Sequence, residues 1–172
     1  MYRPADDGDV PAIVSLINRA YRGSGDVGWT SEESYLSGNR TTEDLLRADI
    51  AAKPSGSLLK WQDGPAGSVV GCVWLEPVGD DIWYLGSLAI EPTQQNGGLG
   101  RTILAAAEDW ARERGAKRIR MTVVNVRETL IAWYLRRGYA KTDATAPFPY
   151  GDDRFGTPLR ADLCFLILEK RI

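Results

Sequence analysis

The 172-residue sequence predicts one α/β domain: a mixed, mostly antiparallel sheet with helices on both faces. Three observations carry this. Apolar strand-like runs at 57–62, 68–78 and 82–90 are joined through Asp63-Gly64-Pro65 and Gly79-Asp80-Asp81. Tight turns of that kind make consecutive strands antiparallel. A helical period from Gly98 to Arg114 then separates the 82–90 run from a further run at 117–124, and a helical crossover makes those two strands parallel. Amphipathic helices stand before and after the block of strands, enough to cover both of its faces.

Taken in order, Met1–Pro4 reads as a first strand. Asp9 before Val10-Pro11 is an N-cap followed by proline in the first turn, and Ile13, Leu16, Ile17, Ala20 and Tyr21 mark one helix face. Residues 22–39 lose periodicity, punctuated by Gly23, Gly25, Gly28 and Gly38, and a loop this long in a compact domain is usually functional. Thr41 or Thr42 caps a second helix with Leu45, Leu46 and Ile50 inward, closed by Pro54-Ser-Gly56. After the 117–124 strand, Arg127–Arg137 is a helix ended by Gly138. Strands from Tyr139 onward and over 162–170 complete the chain.

Composition excludes several classes. A formal charge of −2 gives no basic footprint for nucleic acid. Histidine is absent, which removes the commonest general base and metal ligand. Cys72 and Cys164 sit in apolar runs without metal-ligand spacing, and two readings fit them: small core residues in a reducing compartment, or reactive thiols. No metal is expected. No apolar run approaches the ~20 residues of a membrane span, and Met1-Tyr-Arg-Pro-Ala-Asp-Asp lacks a signal-peptide pattern, so the expected location is cytoplasmic.

The chain is organised around the stretch Leu85 to Arg101, where a strand stops at Glu91-Pro92-Thr93 and a glycine-rich turn, Gly97-Gly98-Leu99-Gly100, leads into a helix. Strand, glycine turn and helix together aim unpaired backbone N–H groups and a helix dipole at an anion. The dinucleotide fingerprint requires another glycine where Ile103 stands, and the phosphate-binding P-loop requires Gly-Lys-Ser/Thr where Arg101-Thr102 follows. A connecting loop with no ligand remains the simpler reading of the glycines alone. Gln95-Asn96-Gly97-Gly98-Leu99-Gly100 resembles the Gln/Arg-x-x-Gly-x-Gly/Ala signature of the GNAT N-acetyltransferase superfamily. Ala132-Trp-Tyr134-Leu-Arg-Arg-Gly138-Tyr139 is similar to the segment that follows the fifth strand of that family. The element order β-α-α-β-β-β-α-β-α-β-β agrees, and the resemblance covers nearly the whole chain.

The resemblance implies the GNAT fold, with a parallel strand pair splayed by a β-bulge, and Gly86 is consistent with the kink. It implies acetyl-CoA as acyl-donor co-substrate, its pyrophosphate cradled by Gln95, Asn96, Gly97, Gly98, Leu99, Gly100 and Arg101. The pantetheine arm would pair with Ala89 and Ile90 as an added strand. The backbone N–H of Leu88 would polarise the thioester carbonyl, and Tyr134 would protonate the departing sulfur. The competing reading of Tyr134 is a packing residue beside Trp133. Where the family often has an asparagine touching the cofactor, Asn125 lies further upstream than usual and Arg127 stands nearer. Asn125 serves either the cofactor or as a helix cap, and Arg127 either a CoA phosphate or a pair with Glu128 or Asp143.

The expected reaction is direct transfer of acetyl to an amine, of a small molecule or a peptide, in a ternary complex. Tyr84, Glu33 and a water chain are the candidates for deprotonating the amine. Trp29 and Glu33 in one aromatic loop, Phe148 and Tyr150 in another, and Tyr84 are expected to bind the acceptor. The alternative is a non-catalytic acyl-CoA-binding or regulatory module on the same fold. The last strand, read as exposed, and the 147–158 loop offer a homodimer surface. Neither nucleic acid nor a membrane is an expected partner.

Overall fold

The computed structural model describes residues 2–23, 29–65 and 67–172. The expectations that fall on Gly25 and Gly28 lie outside them. The described elements are β1 (Tyr2–Pro4), α1 (Val10–Arg22), β2 (Leu36–Ser37), α2 (Glu43–Ala52), β3 (Ser57–Gln62), β4 (Val69–Pro77) and β5 (Ile82–Ile90). They continue as α3 (Leu99–Arg112), β6 (Arg118–Val124), α4 (Glu128–Leu135), β7 (Ala140–Pro147), β8 (Thr157–Pro158) and β9 (Cys164–Arg171). The seven-stranded sheet runs β1-β3-β4-β5-β6-β9-β7, and β2 and β8 form a separate two-stranded ribbon. Among the described residues, only β5 and β6 pair in parallel. Among the described residues, no helix is long and apolar enough to cross a membrane.

Strand β4 shows why both sheet faces need cover. Its side chains alternate, Val73 and Leu75 toward the cluster under α3 and α4, Cys72 and Trp74 toward the cluster under α1 and α2. Helix α1 seats Ile13, Leu16 and Ile17 on the second cluster, and α3 seats Ile103, Leu104 and Ala107 on the first.

Several local expectations are corrected. Asp9 makes no cap bond; its carboxylate pairs with Lys60, buried in β3, and accepts from the Asp6 amide. A buried ammonium without a counter-charge is costly, so the ion pair prevails over the cap. Burial opposes ionisation of Asp9, yet the Lys60 and Asp6 hydrogen bonds and the charges of Lys60 and Arg3 together outweigh it and hold the carboxyl below its ordinary range. Asp6 caps the preceding short turn instead. Thr42, not Thr41, caps α2, on which Leu46 is buried while Leu45 and Ile50 are half-buried. The last strand is not exposed at an edge, because β9 inserts between β6 and β7. Strand β7 takes the edge, and its mostly exposed sequence ending in Pro147 suits that place.

The parallel pairing of β5 with β6 covers only Ile82, Trp83 and Tyr84 against 118–120, and beyond it the strands part. On the other side of β5, Ser87 and Leu88 together oppose Val73 of β4, a β-bulge with Ser87 at φ +48°. The kink therefore sits at Ser87 and not at Gly86. A side chain at 86 is excluded for another reason: its Cβ would lie 2.7 Å from the Tyr84 ring.

Candidate active site

Where β5 leaves β6, two chambers open, of about 350 and 280 Å³. Tyr21, Leu88, Arg127, Leu130 and Tyr134 line both, so the chambers meet at this group. The Tyr21 hydroxyl donates to the Leu88 carbonyl at 3.0 Å and ties α1 to the bulge. The Tyr84 and Thr122 hydroxyls meet at 3.0 Å and join the two strands again on the floor of the second chamber.

The first chamber is built on the N-terminus of α3. Residues 92–97 form a 3₁₀ turn and Gly98 begins the helix at φ +82°, a conformation that disfavours any side chain. First-turn N–H groups of a helix lack intrahelical partners and carry its positive dipole end. Gly100 matters for packing, since a Cβ there would lie 2.8 Å from Ile90 Cδ1, and its absence brings α3 close to β5. Around Gly97 there is open space. Arg101, Arg136 and Arg137 line the chamber, and among the described residues no carboxylate does. Arg137 stacks on Trp133 with its guanidinium 3.5 Å from the ring centroid. Burial, then the nearby charges of Arg136 and Arg101, push its pKa down.

Tyr134 projects from α4 and is 5 % exposed. Its ring packs edge-on against Trp133 and Tyr139, at 5.0 and 5.6 Å between centroids. Tyr21, Tyr84, Tyr139 and Tyr150 all have hydrogen-bonded hydroxyls. The Tyr134 hydroxyl has no such partner among the described residues and faces the junction of the chambers. Burial, with the neighbouring Tyr21, pushes its pKa up, so the phenol stays protonated.

The second chamber has aromatic walls, Phe148, Phe155 and Phe165, and, among the described residues, one carboxylate, Glu32. Both oxygens of Glu32 are engaged, one by Arg22 and the other by Arg127 at 3.1 Å. Burial disfavours the charged form of Arg127, but Glu32 together with Tyr35, Tyr21 and Tyr134 more than offsets it and its pKa is raised. Arg127 also donates to the Thr30 carbonyl at 2.6 Å, which pins the loop after α1 across the chamber junction.

The Acetyltransferase (GNAT) family profile matches residues 10–139. The chain belongs to the GNAT family. An IAA acetyltransferase of Azospirillum brasilense is 30% identical to this GNAT chain, over 83% of it and 84% of the relative. The mycothiol acetyltransferase of Salinispora tropica is 27% identical over 87% of the chain, which spans 47%, about half, of that relative's length. The ribosomal-protein-alanine N-acetyltransferase of Brucella melitensis shares the fold, with a TM-score of 0.71 at 20% identity over 100% of this chain and 99% of that one. A Salmonella typhimurium protein solved with its cofactor acetyl-CoA has a TM-score of 0.69 at 20% identity, over 99% of this chain and 92% of that one.

In this GNAT chain the structure brings Leu88, Ile90, Gln95, Asn96, Gly98, Gly100, Arg101, Arg127 and Tyr134 to the first chamber. Ala89 does not line it, since strand alternation sends its side chain to the α1 cluster. Leu99 packs on the core beside α3, and Gly97 lies outside the wall. The side chain of Gln95 braces the loop, donating to Thr30 Oγ1 at 2.8 Å and accepting from the Trp29 amide at 3.0 Å. Asn125 is neither a cap nor in a chamber: its amide bonds the Asp162 carbonyl and the Cys164 N–H, holding the entry to β9. Arg127 pairs with Glu32, not with Glu128 or Asp143.

The acceptor-side expectations divide. Tyr84 and Phe148 line the second chamber. Trp29 opens on the first chamber instead, 6.2 Å from Trp133. Glu33 is exposed and outside both chambers, because the adjacent Glu32 is the one turned inward to the arginines. Tyr150 is 45% exposed, and its hydroxyl donates to the Arg160 carbonyl and accepts from the Leu163 amide, bracing the loop before β9. Sequence reasoning missed Arg136 and Arg137, which the tandem arginines at the end of α4 signalled. It also missed Arg22, Glu32 and Arg40, for which no local pattern existed.

Proposed function

We propose that this chain transfers the acetyl group of acetyl-CoA to an amine, with the two co-substrates in the two chambers. Bound acetyl-CoA supplies the activated acetyl thioester. The α3 N-terminus at Gly98, with Arg101, Arg136 and Arg137, binds its phosphates through backbone N–H groups and positive charge. The strand edge at Leu88–Ile90, freed by the splay, aligns the pantetheine arm, and the Leu88 N–H polarises the carbonyl oxygen. The amine, a neutral nucleophile after losing a proton to water, reaches the carbonyl carbon from the second chamber. A C–N bond forms, the nitrogen gives up a further proton to water, and the C–S bond breaks. Tyr134 delivers its proton to the sulfur and regains one from solvent, so the products are an amide and free CoA thiol.

Glu32 is not the base in this reading, because both of its oxygens serve buried arginines. The positive charge around the chamber itself favours the neutral amine over the ammonium. The observation that carries the proposal is the Tyr134 hydroxyl, without a protein partner among the described residues, at the junction of a cationic chamber and an aromatic one. Calorimetry with acetyl-CoA and release of free thiol across an amine panel test it. Binding and amine-dependent thiol release are expected. Binding without thiol release from any amine would favour an acyl-CoA-binding module, and absence of binding removes the proposal.

A further inference from the structure

The charges of the second chamber are unbalanced. Among the described residues, three guanidinium groups, Arg22, Arg40 and Arg127, line it with the single carboxylate Glu32. Arg22 and Arg127 have their charges paired: they share Glu32, Arg22 also donates to the Phe155 carbonyl at 2.5 Å, and Arg127 donates to the Thr30 carbonyl, although the buried Arg22 Nε finds no partner among the described residues. Arg40 is different. Its guanidinium lies over the Phe155 ring at 4.7 Å and the Tyr21 ring at 5.6 Å. The side chain is half-buried, and among the described residues no carboxylate pairs with it.

A guanidinium withdrawn from water and given only aromatic faces keeps its fork of donors free. That fork matches a carboxylate in two parallel hydrogen bonds. The other walls suit an apolar body: Phe148, Phe165, Met121 and Val123 surround the space below Arg40. A volume of about 280 Å³ sits near the small end of ligand sites.

We infer that the acceptor is a compact amine bearing a carboxylate and an apolar or aromatic body, its carboxylate paired with Arg40. This rests on the acetyl-transfer reading above and names the substrate class for it. The same excess of positive charge works against amines with two or more cationic centres and no anion, since like charges repel in a poorly solvated space.

The test uses matched ligands, which are phenylalanine with phenylalaninamide, 4-(aminomethyl)benzoate with 4-(aminomethyl)benzamide, and spermidine. Binding is measured by ligand-observed NMR on the full chain, with and without CoA. Each carboxylate is expected to bind about 10- to 100-fold tighter than its amide, the range for a hydrogen bond to a charged group, with spermidine weakest. Arg40→Gln should abolish that gap, while Arg40→Lys retains part of it. Both should keep wild-type acetyl-CoA affinity by calorimetry, which also reports that they fold. If Arg40→Gln fails to fold, the wild-type pairs and Arg40→Lys decide. Equal binding within pairs, no binding of either carboxylate, or a gap that survives in folded Arg40→Gln overturns the inference. The acetyl-transfer reading fails separately, by absent acetyl-CoA binding or thiol release, whatever the carboxylate gap.

Discussion

Replacing Tyr134 by phenylalanine isolates the proton donor. The ring is buried against Trp133 and Tyr139, and phenylalanine keeps both edge-on contacts. The hydroxyl has no hydrogen-bond partner among the described residues, so no buried group is orphaned by its loss and stability should shift by less than about 1 kcal/mol. Catalysis should respond far more. General acid catalysis contributes about 10²–10⁴-fold, and a thiolate needs less help than an alkoxide, so a loss of turnover near 10² is expected. The pH dependence has a definite sign. Burial raises the Tyr134 pKa, so the donor keeps its proton well above the ordinary phenol value of about 10. Wild-type turnover should therefore show no alkaline fall from this group below that pH. Tyr134→Ala, by contrast, opens a cavity and should cost about 3–5 kcal/mol of stability. The assay is thiol release under single-turnover conditions, with urea unfolding for each variant. Near-wild-type turnover in Tyr134→Phe when chemistry limits the rate refutes the role of the hydroxyl.

Three further outcomes are expected. A Cβ at Gly98 finds only Arg101 Nη2, at 3.9 Å, so Gly98→Ala bears chiefly the left-handed backbone cost of about 1–2 kcal/mol, whereas Gly98→Asp adds a carboxylate at the anion site. Acetyl-CoA affinity by calorimetry should fall about tenfold or more further in the Asp variant, and equal affinities would take the α3 N-terminus out of the site. Glu32→Gln removes the counter-charge of two buried arginines and should lower urea stability by about 3–5 kcal/mol; a loss under about 1 kcal/mol means the cluster is not structural. Burial pushes the Cys72 thiol up to about 12, so its thiolate is scarce at pH 8 and rises only as pH approaches that value. Native-state alkylation followed by mass spectrometry should then mark the half-buried Cys164 and spare Cys72, and rapid loss of the Cys72 thiol at pH 8 contradicts the burial.

By itself the sequence determined what is local. Period and punctuation located the strands 57–62, 68–78 and 82–90, the second one residue longer at each end than in the structure, and the glycines and tandem aromatic-arginine segment marked the α3 N-terminus and Tyr134, because turns, caps and helix faces are properties of neighbours along the chain. Contacts across the sheet were decided only in the tertiary structure. The insertion of β9 between β6 and β7 depends on which strand best fills an interior position, and that competition has no local signature. The same holds for charge. Asp9 looked like a helix cap until a lysine 51 residues away was buried against it. Glu32 and Glu33 are chemically alike in sequence, and it is the pairing with Arg22 and with Arg127, 95 residues on, that marks which one turns inward. Arg40 shows nothing in sequence beyond an ordinary surface arginine. Its meaning comes from Tyr21 and Phe155 closing over it and from Glu32, the chamber's carboxylate among the described residues, being already taken, because ion pairing in a buried space is settled by whatever folding brings within a few ångströms.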